Sequence, residues 1–454
     1  MKFTVLRRRG TALFLSAEIS VTTFLSGISM PAFAADGELE GAGTVQNPYQ
    51  IADEDDLRFV AEQLNSNEGA YVDKSYILTD DIDMTGSNTF PMIGDFGGVL
   101  DGQGHTITGM TIAAEDQQSA GFIQRCSGTV KYLTLEDISV SSSGAAGSSS
   151  TEQYVGGIVG YLETGGIIAG CTVTGEVSAK MTAGQGIAGG LAGRVDGGAA
   201  VQDSFFRGDV SSESPRYSMV GGIAGKLTDK DTASSTSSED GEINRCLSMA
   251  NVQVGEAADG GNRSGGMIIG HQSSSNASAT GNVAYRGSIT HSVDLSTGKT
   301  WSGSIGASGQ AITGENNLAN KDDILVYEPG EDGGSLSDAE KVERGPKADS
   351  ATADALQKQE TYEEIGWDFE EKWEMYTDED NNISYPVPKY VPQLIDRITV
   401  TMYGDPETQR GFTWYLSSDG DAETSVLYLS DSEEGRTASR RNSRRKPPKL
   451  QTAR

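Results

Sequence analysis

Short apolar runs separated by glycine recur along the middle of the chain. Gly156-Gly157-Ile158-Val159-Gly160 returns as Gly189-Gly190-Leu191-Ala192-Gly193 and as Gly221-Gly222-Ile223-Ala224-Gly225. A looser copy is Gly265-Gly266-Met267-Ile268-Ile269-Gly270. The blocks start 33, 32 and 44 residues apart (156 to 189, 189 to 221, 221 to 265). A second segment follows each: 167–177, 200–210, 242–252 and 279–289. These runs are too short for amphipathic helices, and their glycine flanks suit turns. A period of this size predicts a solenoid whose Val, Ile and Leu stack inward. The polar stretches 141–150 and 228–240 should bulge out as loops.

Upstream, the pattern changes once to a helical period. Asp53 is placed to N-cap a helix, with Asp56 three residues on and Leu57, Val60, Ala61 and Leu64 on one face. Such a helix would cover the open edge of the solenoid. Short strands follow at 76–78, 82–84 and 96–107. Earlier still, Lys2 and Arg7–Arg9 precede an apolar stretch at 11–30 and the Ala32-Phe33-Ala34 site. Residues 1–35 therefore read as an export signal. No later run is long and apolar enough for another span.

Composition agrees with a turn-dense β protein: 58 glycines, 36% hydrophobic and 7% aromatic residues in 454. A net charge of −30 argues against nucleic acid or an anionic membrane as partner. The tail is the exception, with eight Lys or Arg and no acid from Arg436 to Arg454.

Candidate chemistry is sparse. Cys126, Cys171 and Cys246 form no disulfide framework. Cys171 and Cys246 share a repeat position two repeats apart, roughly 10 Å at the usual strand spacing, so they read as a core ladder. Asp80, Asp81 and Asp83 lack the loop spacing of an EF-hand calcium site and read as solvated turn carboxylates. His105, His271 and His291 fall in no zinc-like spacing and read as surface or turn residues. No catalytic, cofactor-binding or metal-binding residue is assigned. A polysaccharide lyase would need a base and carboxylates grouped on one solenoid face, and no such set is readable in the sequence.

The succession NPYQI, DLRFVAEQLN, YILTDDIDM, FGGVLDGQGHTITGMTI, AGFIQ, TVKYLTLEDISV, GGIVG and CTVTGEV resembles the GLUG-motif region of bacterial surface and secreted proteins. The resemblance spans about 41–390. It implies a right-handed parallel β-helix, placed at 36–325 and fraying or capped near 290–320. It implies an adhesive, spacer or scaffold role with an extracellular glycan or protein as partner, and does not by itself imply an enzyme. Residues 326–354 read as an acidic linker. Residues 355–393 read as a closing cap around Trp367, Trp373 and Tyr385, with a carbohydrate platform on the two tryptophans as the rival.

Residues 394–430 alternate in strand fashion at Ile398, Val400 and Met402 and at Phe412, Trp414 and Leu416. They resemble the start of the fibronectin-like N-terminal domain of purple acid phosphatases, an incomplete Ig-like sandwich. The phosphatase metal motifs are absent, and Asp405 sits in a turn. The basic tail, 431–454, reads as a frameshift or truncation product, or as a segment for an anionic surface. The alternative function is thus the leading part of a secreted metallophosphoesterase whose two-metal domain is missing.

Overall fold

In the computed structural model the chain divides into two units, residues 31–390 and the remaining terminal segments. It describes residues 39–391 apart from 67–68, 145–150, 229–239, 256–260, 274–276, 293–299, 308–313, 321–322, 329–334 and 338–347. Beyond 391 it describes the backbone of four strands. The export signal, both predicted surface loops in their greater part, and Asp405 lie outside the described residues.

The first unit is all-β and β-helix-like. Each turn of chain lays down up to four strands, and each strand pairs in parallel with its equivalent one coil away. The first ladder runs through Tyr49–Ile51, Ser75–Leu78, Val99–Asp101, Thr129–Lys131, Ile167–Ala169, Ala200–Gln202, Glu242–Asn244 and Ser278–Thr280. The second holds the long strands Thr134–Gly144, Thr172–Met181, Phe205–Glu213 and Leu247–Val254. The third includes Glu152–Gly156, Gln185–Gly189, Tyr217–Gly221 and Arg263–Gly266. The fourth includes Val159–Leu162, Ala192–Val195, Ala224–Leu227 and Ile269–Gln272.

This placement explains the glycine blocks. Each one turns the corner between the third and fourth ladders. A Cβ on Gly156 would lie 2.6 Å from the Gly193 amide, and one on Gly221 would lie 2.6 Å from the Gly270 amide. A Cβ on Gly190 would fall on the Gly222 carbonyl and the Phe206 ring. Glycine is needed here because adjacent coils touch backbone to backbone. The equivalent aliphatic residue in each block, Ile158, Leu191, Ile223 or Ile268, is fully buried.

The segment after each block is two strands, where the sequence suggested one. A residue in the left-handed region breaks it: Tyr132 (φ 50°), Gly170 (63°), Asp203 (50°), Arg245 (52°) and Gly281 (65°) in successive coils. Side chains at this conformation cost about 1–2 kcal/mol each, which neighbouring structure must offset. The next residue turns inward: Cys171, Ser204, Cys246, Asn282. Ser204 Oγ accepts from the Cys171 amide at 3.1 Å, and Asn282 Oδ1 accepts from the Cys246 amide at 2.9 Å. The column thus satisfies buried backbone donors that the bend frees.

The helix, α1 (Glu54–Asn65), forms as its pattern predicts. Asp53 accepts from the Asp56 amide, while Asp56 accepts from the Ala52 amide at 2.9 Å, a reciprocal cap. Leu57, Val60, Ala61 and Leu64 are buried in the main core.

Among the described residues, parallel pairing continues past the degenerate fourth copy. Thr300–Gly303 pairs with Arg263–Gly266, and Asp349–Ser350 still pairs with Leu318–Ala319. The boundary placed at 325 falls inside a strand, Ile324–Glu328. The 326–354 segment also supplies Ser335–Ser337, antiparallel to that strand, and the buried Ala348.

The closing segment is no end plug. Helices α2 (Ala353–Leu356) and α3 (Gln359–Glu363) and the hairpin Trp373–Asp378/Ile383–Pro388 lie along the side of the second ladder. They cover an outward row that starts polar, Thr134 and Thr172, and becomes apolar at Phe205, Leu247, Val283 and Leu318. Trp367 and Trp373 are buried, with ring centroids 4.1 Å apart. They therefore present no platform to a sugar.

In the second unit Arg397–Met402 pairs antiparallel with Arg410–Tyr415, and Val426–Leu429 with Ala438–Arg441. Among the described residues the two hairpins share no ladder.

Candidate functional site

The residue after each glycine block defines one outward column on the fourth ladder: Tyr161, Arg194, Lys226 and His271, preceded by Asp95 and Arg125. The third ladder contributes Glu152 and Tyr154 to the same corner. Strand alternation sends Val155 into the core and leaves Tyr154 on the opposite face, where it packs with Ile187 and Met219 in a separate cluster.

Arg194 is the hub. Its Nε donates to Asp196 Oδ1 at 2.8 Å and its Nη1 to the Tyr154 hydroxyl at 2.8 Å. Its guanidinium carbon lies 4.9 Å from the Tyr161 ring centre and 5.4 Å from that of Tyr154. Glu152 accepts from Lys226 Nζ at 2.5 Å and from the Tyr154 hydroxyl at 2.7 Å. Asp196 accepts from the Tyr161 hydroxyl at 2.6 Å and from Thr228 at 2.8 Å. Arg125 continues the network to Glu163 and, at 3.6 Å, to Asp95.

A base and carboxylates do therefore meet on one solenoid face, which the linear sequence did not reveal. Burial and pairing set their electrostatics. Burial pushes the phenols of Tyr154 and Tyr161 up. Burial, reinforced by Lys226, pushes His271 down to about 4. Burial tends to raise Glu152, but the Lys226 ammonium overrides it and holds the carboxylate below its usual range. Burial likewise opposes the charge on Arg194, and Tyr154 and Asp196 overcome it. Glu152 and Arg194 are thus each held in the charged form by their partners. The arrangement can fix the corner, and it presents Arg125 and Tyr161 at its rim.

The residues singled out in the sequence lie elsewhere, except His271. Asp80 accepts from the Asp81 amide, Asp81 from the Thr106 amide at 2.8 Å, and Asp83 from the Thr85 amide at 2.9 Å. The Asp80 and Asp83 bonds are local turn bonds, and the Asp81 bond reaches a residue 25 positions on. His105 Nδ1 lies 3.2 Å from Asp81. His291 departs from the surface reading: it is buried, 2.6 Å from Ser302 Oγ, and burial lowers it to about 4. All three cysteines are buried free thiols, pushed up to about 12 by burial. No group of three His, Cys, Asp or Glu suited to a metal occurs among the described residues. The column of Tyr161, Arg194, Lys226 and His271 was readable only by stacking the repeats on one another.

The central coil, from the strand before Gly156 through Cys171 and into the strand after it, decides the resemblance. Residues 151–178 match the GLUG motif. The motif comprises one strand from the third and fourth ladders and the next strand of the first and much of the second. An immunoglobulin A1 protease of Streptococcus pneumoniae is 35% identical over 137 residues, 30% of this chain and 7% of that protein. Halomucin of Haloquadratum walsbyi is 32% identical over 182 residues, 37% of this chain and 2% of halomucin. This chain thus spans a small part of either relative. The crystal structure of a candidate immunoglobulin A1 protease from Bacteroides ovatus superposes with a TM-score of 0.54 at 20% identity. It covers 77% of this chain and 95% of its own. That likeness concerns the fold. Among the described residues no helix is long and apolar enough to cross a membrane.

Proposed function

We propose that this chain is an exported, non-catalytic GLUG-motif module that acts outside the cell as an adhesive, spacer or scaffold. The observation that carries it is the corner network, in which charged side chains pair within one coil, as Arg194 with Asp196, or across coils, as Lys226 with Glu152. Such a surface stiffens a rod and suits contact with a glycan or protein better than turnover of either. Relatives in which the similar region is 7% and 2% of the whole support a module serving larger assemblies. The winding expected of such coils is right-handed, as parallel crossovers generally are. Residues 1–35 would direct export, and no cofactor is required.

The test is to incubate the purified chain with immunoglobulin A1, a phosphate monoester and uronic-acid polysaccharides, and to display it on glycan and protein arrays. Retention on an array without turnover is the expected result. Turnover of any of the three substrates would overturn the non-catalytic reading. Silence on every array would remove adhesion and leave the spacer.

A second reading, the accessory region of a purple acid phosphatase-like metallophosphoesterase, is favoured by the strand pair Arg397–Met402/Arg410–Tyr415. That pair falls where the resemblance to the fibronectin-like domain begins. Translating the downstream DNA in all frames tests it: histidine-rich metal motifs there are expected, and their absence would sink this alternative.

A further inference from the structure

Residue 351 marks a change in how the chain is held. Up to that point parallel ladders carry the backbone. The Ala351 amide still donates to the Ala319 carbonyl at 2.9 Å. From 352 to 390, among the described residues, backbone bonds to backbone only within the segment itself. Side chains make every attachment to the coils. Leu356, Tyr362, Trp367, Trp373 and Tyr385 cover the apolar outward row. Trp367 Nε1 donates to the Gly281 carbonyl at 2.7 Å. Lys372 reaches Asp203, itself paired with Arg245, at 2.9 Å. Arg207 donates to the Tyr385 hydroxyl at 3.0 Å.

The segment also runs backward. It departs from Ser350, in the second ladder's last described strand, and ends at Tyr390, whose ring packs 5.4 Å from Tyr132 and against Gly104 in early coils. Along the second ladder the strands starting at 134, 172, 205, 247, 283, 318 and 349 are consecutive neighbours. Six steps at about 4.8 Å make about 29 Å.

We propose that residues 351–390 are a releasable strap that sets where the chain leaves the rod. Docked, it returns the chain beside the first coils. Released, it lets the chain depart from the last coil, about 29 Å farther along the axis. Release breaks no bond of the ladders, so the strap is a separate cooperative unit that opens before them. A spacer built this way has two lengths. The inference uses the spacer reading only for its purpose: a catalytic rod would dock or release its strap equally, so the two tests fail separately.

The test places spin labels at Val45→Cys and Lys389→Cys in the full chain, whose native thiols are buried. The label separation and the far-UV signal of the ladders are followed together in urea. The separation should be short in buffer and lengthen at a lower urea midpoint than the loss of β signal. Lys372→Met and Trp367→Ala should each move only the first midpoint downward. A single shared midpoint in all variants, a shift of the second midpoint by either substitution, or a long separation already in buffer would overturn the strap.

Discussion

The outer faces of the second ladder and of the third–fourth corner solve one problem in two ways. Each repeats a side chain every coil and must make that row compatible with water. At the corner the row is Tyr161, Arg194, Lys226 and His271, and carboxylates of the same and nearby coils supply the counter-charges. On the second ladder the row Phe205, Leu247 and Val283 is apolar and needs a foreign segment over it. The difference teaches that a solenoid's inside is specified locally, coil by coil, while its outside is specified by whatever lies beside it.

Both faces share one frame, and its failure has the largest expected effect. Gly190→Val places a branched side chain against the Gly222 carbonyl and Phe206. Neither backbone nor ring has room to move, so a loss above about 4 kcal/mol is expected. Far-UV circular dichroism should show no cooperative unfolding of the parallel sheet. A native-like melt would mean that the coils are not in contact at this corner.

Acid should separate the corner from the strap. His271 and His291 are held at about 4 from an ordinary 6.5, because burial disfavours their charged forms. Folded, they bind protons more weakly than unfolded. Their contribution is complete above about pH 6.5 and drains as pH falls toward 4, on the order of 3 kcal/mol each at the limit. Glu152 and Asp203 are shifted down, so their contributions are complete above the ordinary carboxylate range and drain as pH falls through it toward their lowered values. Urea midpoints at pH 7, 5.5 and 4 should therefore decline before the carboxylates titrate. A flat profile down to pH 4.5 would refute the burial of both imidazoles.

Next comes Glu152→Gln, which keeps the shape and removes the charge that Lys226 and Arg194 face. The site is partly exposed, with 21% of the Glu152 side chain accessible. About 2 kcal/mol is expected, less than for a fully buried pair. The loss should appear in the ladder transition and leave the label separation of the strap unchanged in buffer.

Much of this was legible in the sequence, and the exceptions have physical causes. The N-terminal helix was readable because Asp53, Asp56 and the Leu57-Val60-Leu64 stripe are local signals. The solenoid was readable because Gly156, Gly189 and Gly221 mark contacts that recur at one period. The third-ladder strands were not, since Tyr154 and Ile187 are apolar on the outer side too and hide the period-2 alternation. The corner network was missed because Glu152 and Lys226 are neighbours only across two coils. The strap reads in the sequence as a closing cap for a similar reason. Its aromatics announce burial, and nothing local says against which face.

The smallest effect is the sharpest test of the comparison. Thr172 and Phe205 are adjacent in the same outward row, one beyond the strap's apolar seat and one within it. Thr172→Val keeps a β-branched side chain on a half-exposed strand, so the change should lie within about 0.5 kcal/mol. Phe205→Thr makes the reverse exchange and removes a ring packed 5.6 Å from Tyr385. Its cost should be about 2 kcal/mol, confined to the strap. If the outside is set by what lies beside it, the two substitutions differ several-fold although backbone and row are the same. Equal effects in a urea titration of both variants would mean that the row's own strand propensity decides, and the strap would then be incidental.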